Sequence, residues 1–210
     1  MNTKEKILIE ALKLFSKKGY SAVYLSEIAE AVNIKTPSLY KHYKSKQDIF
    51  NSCVEAFTLQ IEKVRNELRI PGSKNKLYSY ETIKEQDLIN IAKSLFIFYL
   101  KDDVASNFRK MLLIERYNNK KLNDIYEDIF INKALEYEEK VFSTLIDKGI
   151  IKHNNPHTLA LEFYSPIFYL LQKYDLHHDK EKIALEELSL LIHNFYEKYN
   201  IKKENYNENC

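Results

Sequence analysis

An all-α fold is predicted, with a three-helix helix-turn-helix head in front of a helical body, on three observations. Helix breakers are scarce, since 210 residues hold only 3 Gly and 4 Pro. Apolar residues recur along most of the chain at the 3.6-residue spacing of amphipathic helices. The stretch Leu25 to Lys46, LSEIAEAVNIKTPSLYKHYKSK, contains two short helical patterns joined by a tight turn and followed at once by a capped third.

The elements follow in order. Thr3 is the expected N-cap of the first helix. Ile7, Leu8, Ala11, Leu12 and Phe15 form its apolar stripe, and Gly19 stops it. A second helix is expected over about Ser26–Val32, with Ile28, Ala29 and Val32 facing inward. Small Ala29 lets the next helix cross closely. Asn33 takes the turn, where a left-handed backbone suits Asn better than most non-glycine residues. Thr36 is expected to cap the third helix, with Pro37 at its first position, where the missing N–H costs nothing. That helix runs to about His42, with Leu39 and Tyr43 inward and Ser38 and Lys41 outward.

Ser45 to Asp48 reads as a capping box with Asp in place of Glu. It opens a long helix to about Leu68, striped by Ile49, Cys53, Phe57, Ile61, Val64 and Leu68. Pro71-Gly72-Ser73 then breaks the chain. Further helices are expected near about 81–100, 102–117, 122–147, 157–175 and 180–199, separated at Asn118-Asn119, Gly149, Asn154-Asn155-Pro156 and His177-His178. Thr158 to Leu171 has Glu162 as its only charge, so this helix is expected to be buried on more than one side. With the last helix (stripe Ala184, Leu188, Leu191, Phe195, Tyr199), it is suitable material for a four-helix dimer bundle. The expected division is a head at 1–47, a body at 48–201 and a polar tail at 202–210.

Net charge is +2, but residues 1–50 carry nine Lys against five acids. A basic front on a near-neutral body suits a polyanion at one end. The two cysteines are too few for a disulfide framework, and the amphipathic N-terminus is unlike a signal peptide, so a reduced cytoplasmic protein is expected. No apolar run approaches bilayer length. Cys53 shares an apolar stripe and reads as packing. The histidines at 153, 157, 177, 178 and 193 have no recognised metal-ligand spacing, and no cofactor is implied. A Gly-rich phosphate loop and a G-x-S-x-G elbow are both absent, so nothing here calls for an enzyme.

A helix presented as the third one is here can enter the major groove of DNA. Lys35, Thr36, Pro37, Ser38 and Lys41 are the candidates for base edges. Lys46, at the start of a helix, is the candidate for phosphate. No Arg precedes Arg65, so the commonest bidentate guanine reader is missing from the head. The expected operator is therefore rich in A·T and read partly by shape.

Phe15, Gly19-Tyr20, Ile28-Ala29, Ile34, Pro37-Ser38-Leu39-Tyr40, His42-Tyr43 and Ser45-Lys46 keep the spacing of one known family. Over about the first fifty residues the chain resembles the TetR family of one-component transcriptional regulators. The resemblance implies a homodimer with a DNA-binding head on each subunit, a body with a ligand cavity, and repression relieved by a small-molecule inducer. It also implies backbone contacts from Tyr40 and His42. Asn33, Tyr24 and Lys35 depart from the frequent Gly, Ser/Thr and Ser. With Tyr24 at the entrance to the second helix, Ser26 is the residue there that would meet a phosphate. Phe96, Tyr99, Phe130, Phe163 and Phe168 are candidate cavity aromatics. Glu115 and Glu162, acids inside apolar runs, would draw a cationic ligand if they faced the cavity. An activator or ligand-independent regulator of the same fold, or a helical interaction protein without DNA binding, stays open as an alternative.

Overall fold

The computed structural model describes residues 1–68, 84–152 and 154–199, apart from the side chain of His178. Among these residues all regular structure is helical. The helices are α1 (Thr3–Lys18), α2 (Leu25–Ala31), α3 (Thr36–Leu39), α4 (Lys46–Glu67), α5 (Glu85–Lys101), α6 (Ala105–Glu115), α7 (Lys120–Glu127), α8 (Lys133–Asp147), α9 (Pro156–Tyr174) and α10 (Glu181–Lys198). The expected break at Pro71-Gly72-Ser73, the tail at 202–210, His153 and Cys210 lie outside the described residues.

The chain forms two compact units. The first joins Met1–Lys63 to Lys101–Phe130, so it contains α1–α3, most of α4, α6 and α7. The head expected at 1–47 lies within this unit. Phe108 of α6 stacks on Phe57 of α4 at 5.1 Å and lies 6.4 Å from Phe50. A run of rings continues from Phe15 through Tyr20 to Phe50, and from Phe57 through Phe130 to Tyr126. Ile7, Ala11, Leu12, Ile28, Leu39, Ile49 and Cys53 complete this core and are fully buried. Burial pushes the Cys53 thiol up to about 12, so it is an inert packing group.

The second unit holds the end of α4 from Val64, α5 to Leu100, and the chain from Ile131 onward. Phe142 of α8, Phe163 of α9 and Phe195 of α10 form a triangle of rings 5.4–5.6 Å apart. Leu159, Ala160, Ala184 and Leu188 are fully buried beside them. The helix α9 continues through Pro166, which can donate no backbone bond. The single helix expected over 122–147 is interrupted by a π-turn at Asp128–Asn132 between α7 and α8.

Candidate nucleic-acid interface

The head begins with an N-cap one residue earlier than expected. Asn2 accepts from the Glu5 N–H at 2.9 Å, and the Glu5 carboxylate accepts from the Asn2 N–H at 2.9 Å, a reciprocal box. At α2 the N-cap is Tyr24, whose side chain cannot cap. The Glu27 carboxylate takes over, accepting from the Tyr24 N–H at 2.8 Å and pairing with Lys18. The Lys18 ammonium first, then the Tyr24 N–H, hold the Glu27 carboxyl below its ordinary range.

Asn33 has φ +58°, as the turn requires. The Asn33 N–H donates to the Glu30 carbonyl and the Ile34 N–H to the Ala29 carbonyl, each at 2.9 Å, which closes α2 against α3. The cap of α3 is Lys35, not Thr36, and Thr36 and Pro37 occupy the first two helical positions. The Lys35 carbonyl accepts from the Ser38 N–H at 2.8 Å. The helix is regular only to Leu39, and turns extend it to His42. Leu39 and Tyr43 are buried, and the Tyr43 hydroxyl donates to the Lys4 carbonyl at 3.3 Å. Burial pushes that phenol up to about 12.

With these anchors inward, Lys35, Pro37, Tyr40 and Lys41 are exposed, and Thr36, Ser38 and His42 are half-buried. Ser26 is exposed on α2. Exposed Lys44 and Tyr24, the latter 73% exposed, were not among the sequence candidates. Tyr24 stands as the helix-entry residue, and an uncapped aromatic there was the signal for it.

Lys46 is placed differently from the expectation. Its ammonium donates to the carbonyls of Tyr20 (2.9 Å), Ser21 (3.2 Å) and Val23 (2.8 Å). It also lies 4.7 Å from the Tyr20 ring. Three donors are all an ammonium has. Lys46 therefore caps the loop into α2 and is not an open phosphate ligand. Desolvation depresses its pKa, opposed by attraction to Glu115 and Glu27.

The candidate ligand residues divide between the two units. Phe130 belongs to the first unit, against Phe57 (5.4 Å) and Tyr126 (5.3 Å). In the second unit Phe163 is part of the ring triangle, Phe96 is fully buried, Tyr99 lies 5.2 Å from Phe98, and Phe168 lies 6.0 Å from Tyr164. Neither acid is an open counter-charge. The buried Glu115 carboxylate accepts from the Ser21 N–H at 2.6 Å and the Ser21 hydroxyl at 2.8 Å. Glu162 is exposed and accepts from Lys198 at 2.6 Å and the Tyr199 hydroxyl at 2.7 Å, partners that lower its pKa.

The expectation that α9 is buried on several sides holds only in part. Leu161 and Tyr169 of α9 and Ile183 and Leu190 of α10 are exposed. Ser165, Pro166, Tyr169, Leu170, Glu187, Leu190 and Leu191 line an open groove of about 490 Å³ between the two helices. Among the described residues no helix is long and apolar enough to cross a membrane, and no His/Cys/Asp/Glu group has metal-binding geometry.

Residues 7–53 match the family described as bacterial regulatory proteins, tetR family. Over 201 residues the chain is 27% identical to the uncharacterized HTH-type transcriptional regulator YvkB of Bacillus subtilis (strain 168), covering 91% of this chain and 92% of that one. Over a stretch of 52 residues the chain is 48% identical to IcaR of Staphylococcus epidermidis, the negative transcriptional regulator of the biofilm operon icaADBC. That match covers 25% of this chain and 28% of IcaR. The fold is similar to SmeT in complex with triclosan, with a TM-score of 0.70 at 18% identity, covering 97% of this chain and 94% of that one. SmeT is the repressor of a Stenotrophomonas maltophilia multidrug efflux pump.

Proposed function

We propose that the chain, whose residues 7–53 match the tetR family and which is 27% identical to an HTH-type transcriptional regulator, is a homodimeric, cytoplasmic TetR-family repressor that a small molecule releases from a near-palindromic operator. One observation carries the DNA reading. The buried pair Leu39 and Tyr43 anchors α3 so that Lys35, Pro37, Tyr40 and Lys41 face solvent together. Lys35, Thr36, Pro37, Ser38 and Lys41 meet base edges, and Ser26, Tyr40 and His42 meet the backbone.

One such head makes few contacts. Two heads about 34–36 Å apart reach successive major grooves on one face of the duplex, which calls for a two-fold operator. The apolar α9–α10 groove supports pairing, because a second copy would cover a face that a lone subunit leaves in water. Repression is supported by the 52-residue likeness to IcaR, and ligand release by the likeness to the triclosan-bound SmeT. An inducer coupling of about 1–3 kcal/mol shifts operator affinity about 5- to 150-fold.

The test is a mobility-shift assay on DNA upstream of the chain's own gene, with salt and ligand titrations. A salt-sensitive shift is expected, and Lys41→Ala should cost about 1–3 kcal/mol of operator affinity and relax selectivity at the base pair it meets. No salt-sensitive shift on any duplex sinks the reading and favours a helical interaction protein. Triclosan is the first ligand probe. A shift that triclosan and a broader compound panel leave intact points instead to a ligand-independent regulator.

A further inference from the structure

Glu115 closes α6, where its charge meets the negative end of the helix dipole and is buried as well. What holds it lies 94 residues away in sequence: Oε1 accepts from the Ser21 N–H at 2.6 Å, and Oε2 from the Ser21 hydroxyl at 2.8 Å. Room for the carboxylate exists because residue 19 is glycine. A Cβ at Gly19 would lie 2.6 Å from Oε1 and 3.2 Å from Cγ2 of Ile114, and its φ of +84° already disfavours a side chain.

Lys46 grips the same loop through its carbonyls, at Tyr20, Ser21 and Val23. The loop into α2 is thus held twice with opposite polarity, N–H to an acid of α6 and C=O to a base of α4. Each hold belongs to a different helix. A body tied along one helix can still rotate about it, and a second tie on another helix removes that rotation.

We propose that Glu115 is a positioning residue for operator recognition: through Ser21 it fixes the orientation of the α2–α3 pair on α6, so that paired heads favour one half-site spacing. The inference rests on the two-headed reading given above. A head fixed in advance loses no orientational freedom on binding, but only where the second half-site lies where that head points. A loosened head binds the preferred spacing less well and tolerates neighbouring spacings better.

The experiment uses the full chain, its native operator, and operators with one base pair added or removed between half-sites. Wild type, Glu115→Gln and Ser21→Ala are compared for affinity, salt slope and thermal melting. Glu115→Gln is expected to bind about tenfold more weakly at the native spacing, in scale with a weakened charge-assisted hydrogen bond. Its penalty for the altered spacings should shrink, while its salt slope stays that of wild type because every phosphate contact is kept. Ser21→Ala keeps the N–H bond and should move the same way by less. An equal weakening at all three spacings means that Glu115 only stabilises the head, and overturns the proposal. If Glu115→Gln does not fold, Ser21→Ala decides by the same ratio. A wild type that discriminates no spacing takes down the two-headed reading and the inference with it. A wild type that discriminates, with variants that discriminate equally, takes down the inference alone.

Discussion

Lys46 separates a charge that builds a head from a charge that meets DNA. All three of its donors are spent on the carbonyls of Tyr20, Ser21 and Val23. Bonds to a charged donor contribute about 1.5–3 kcal/mol in typical cases, and the carbonyls left behind are partly shielded from water. Lys46→Ala is therefore expected to lower head stability by about 1–3 kcal/mol in a denaturant titration while the operator salt slope falls by well under 1 per head. Lys41→Ala, at an exposed residue assigned to base edges, should leave head stability near wild type and weaken operator binding. A fall of a full unit of slope at Lys46 with unchanged stability returns it to the phosphate contacts. In the second unit, half-buried Glu138 lies on α8 four residues from both Ala134 and Phe142. Burial pushes its carboxyl from 4.5 to about 7, although the Arg65 cation pulls the other way. The folded pKa lies above the unfolded one, so the stability involved is complete below about pH 4.5 and is lost as pH rises through about 7. Glu138→Gln should match wild type in melting temperature at pH 4.5 and melt higher at pH 8. Parallel melting curves across that range contradict the assignment.

At the scale of helices, the open question is what the α9–α10 face meets. Tyr169 and Leu190 are 61% and 60% exposed on its two sides, beside the Lys173–Glu187 pair. An exposed leucine contributes little to the fold of its own subunit, so Leu190→Glu should leave a lone subunit's stability within about 0.5 kcal/mol. A charge buried between two copies costs far more. Sedimentation velocity should report a monomer for Leu190→Glu and a dimer for wild type, and the variant should bind the full operator no better than a half-site. A persistent dimer would place the interface elsewhere. Much of this architecture was legible as helical period: α1, α2 and α4 bury Ile7, Ala11, Phe15, Ile28, Ile49, Cys53 and Phe57 as their spacing requires. The positive φ of Asn33 was legible too, since few residues tolerate that turn. The π-turn at Asp128–Asn132 was not, because it remains helical and leaves no breaker in the sequence. Nor could spacing reveal that Glu115 reaches Ser21, or that three carbonyls lie under Lys46. Those partners are 23–94 residues apart, and helical period encodes only neighbours three and four apart. For that reason the outward residues of α3 were readable and the partners of the acids were not.

For the whole molecule the governing quantities are charge placement and symmetry. Net charge is only +2, while the first fifty residues hold nine Lys and five acids, so long-range attraction to DNA is modest and concentrated at the head. Specificity must then come from groove contacts and shape. Within the head the cations are all lysines, because the first arginine is Arg65 near the end of α4. A lysine offers a point charge where arginine offers a planar fork matched to guanine O6 and N7, so the strongest single source of G·C preference is absent. Thr36 and Pro37 present a methyl and a ring that suit thymine methyl groups, and the Ser38 hydroxyl bonds several bases with little discrimination. A·T-rich duplex adds a narrow, strongly negative minor groove and a stiffness that such a head can read without touching bases. The proposed two-fold pairing adds a second constraint: half-sites centred about 10–10.5 base pairs, or a multiple of that, apart. Selection of bound duplexes from a randomised library should return an inverted repeat at that period, with A·T at most positions facing α3. Lys35→Arg in the same selection should recruit a G·C pair into each half-site, because it supplies the missing fork. A wild-type consensus fixed by invariant G·C pairs, or one without inverted symmetry, would mean that residues other than those on α3 read the sequence.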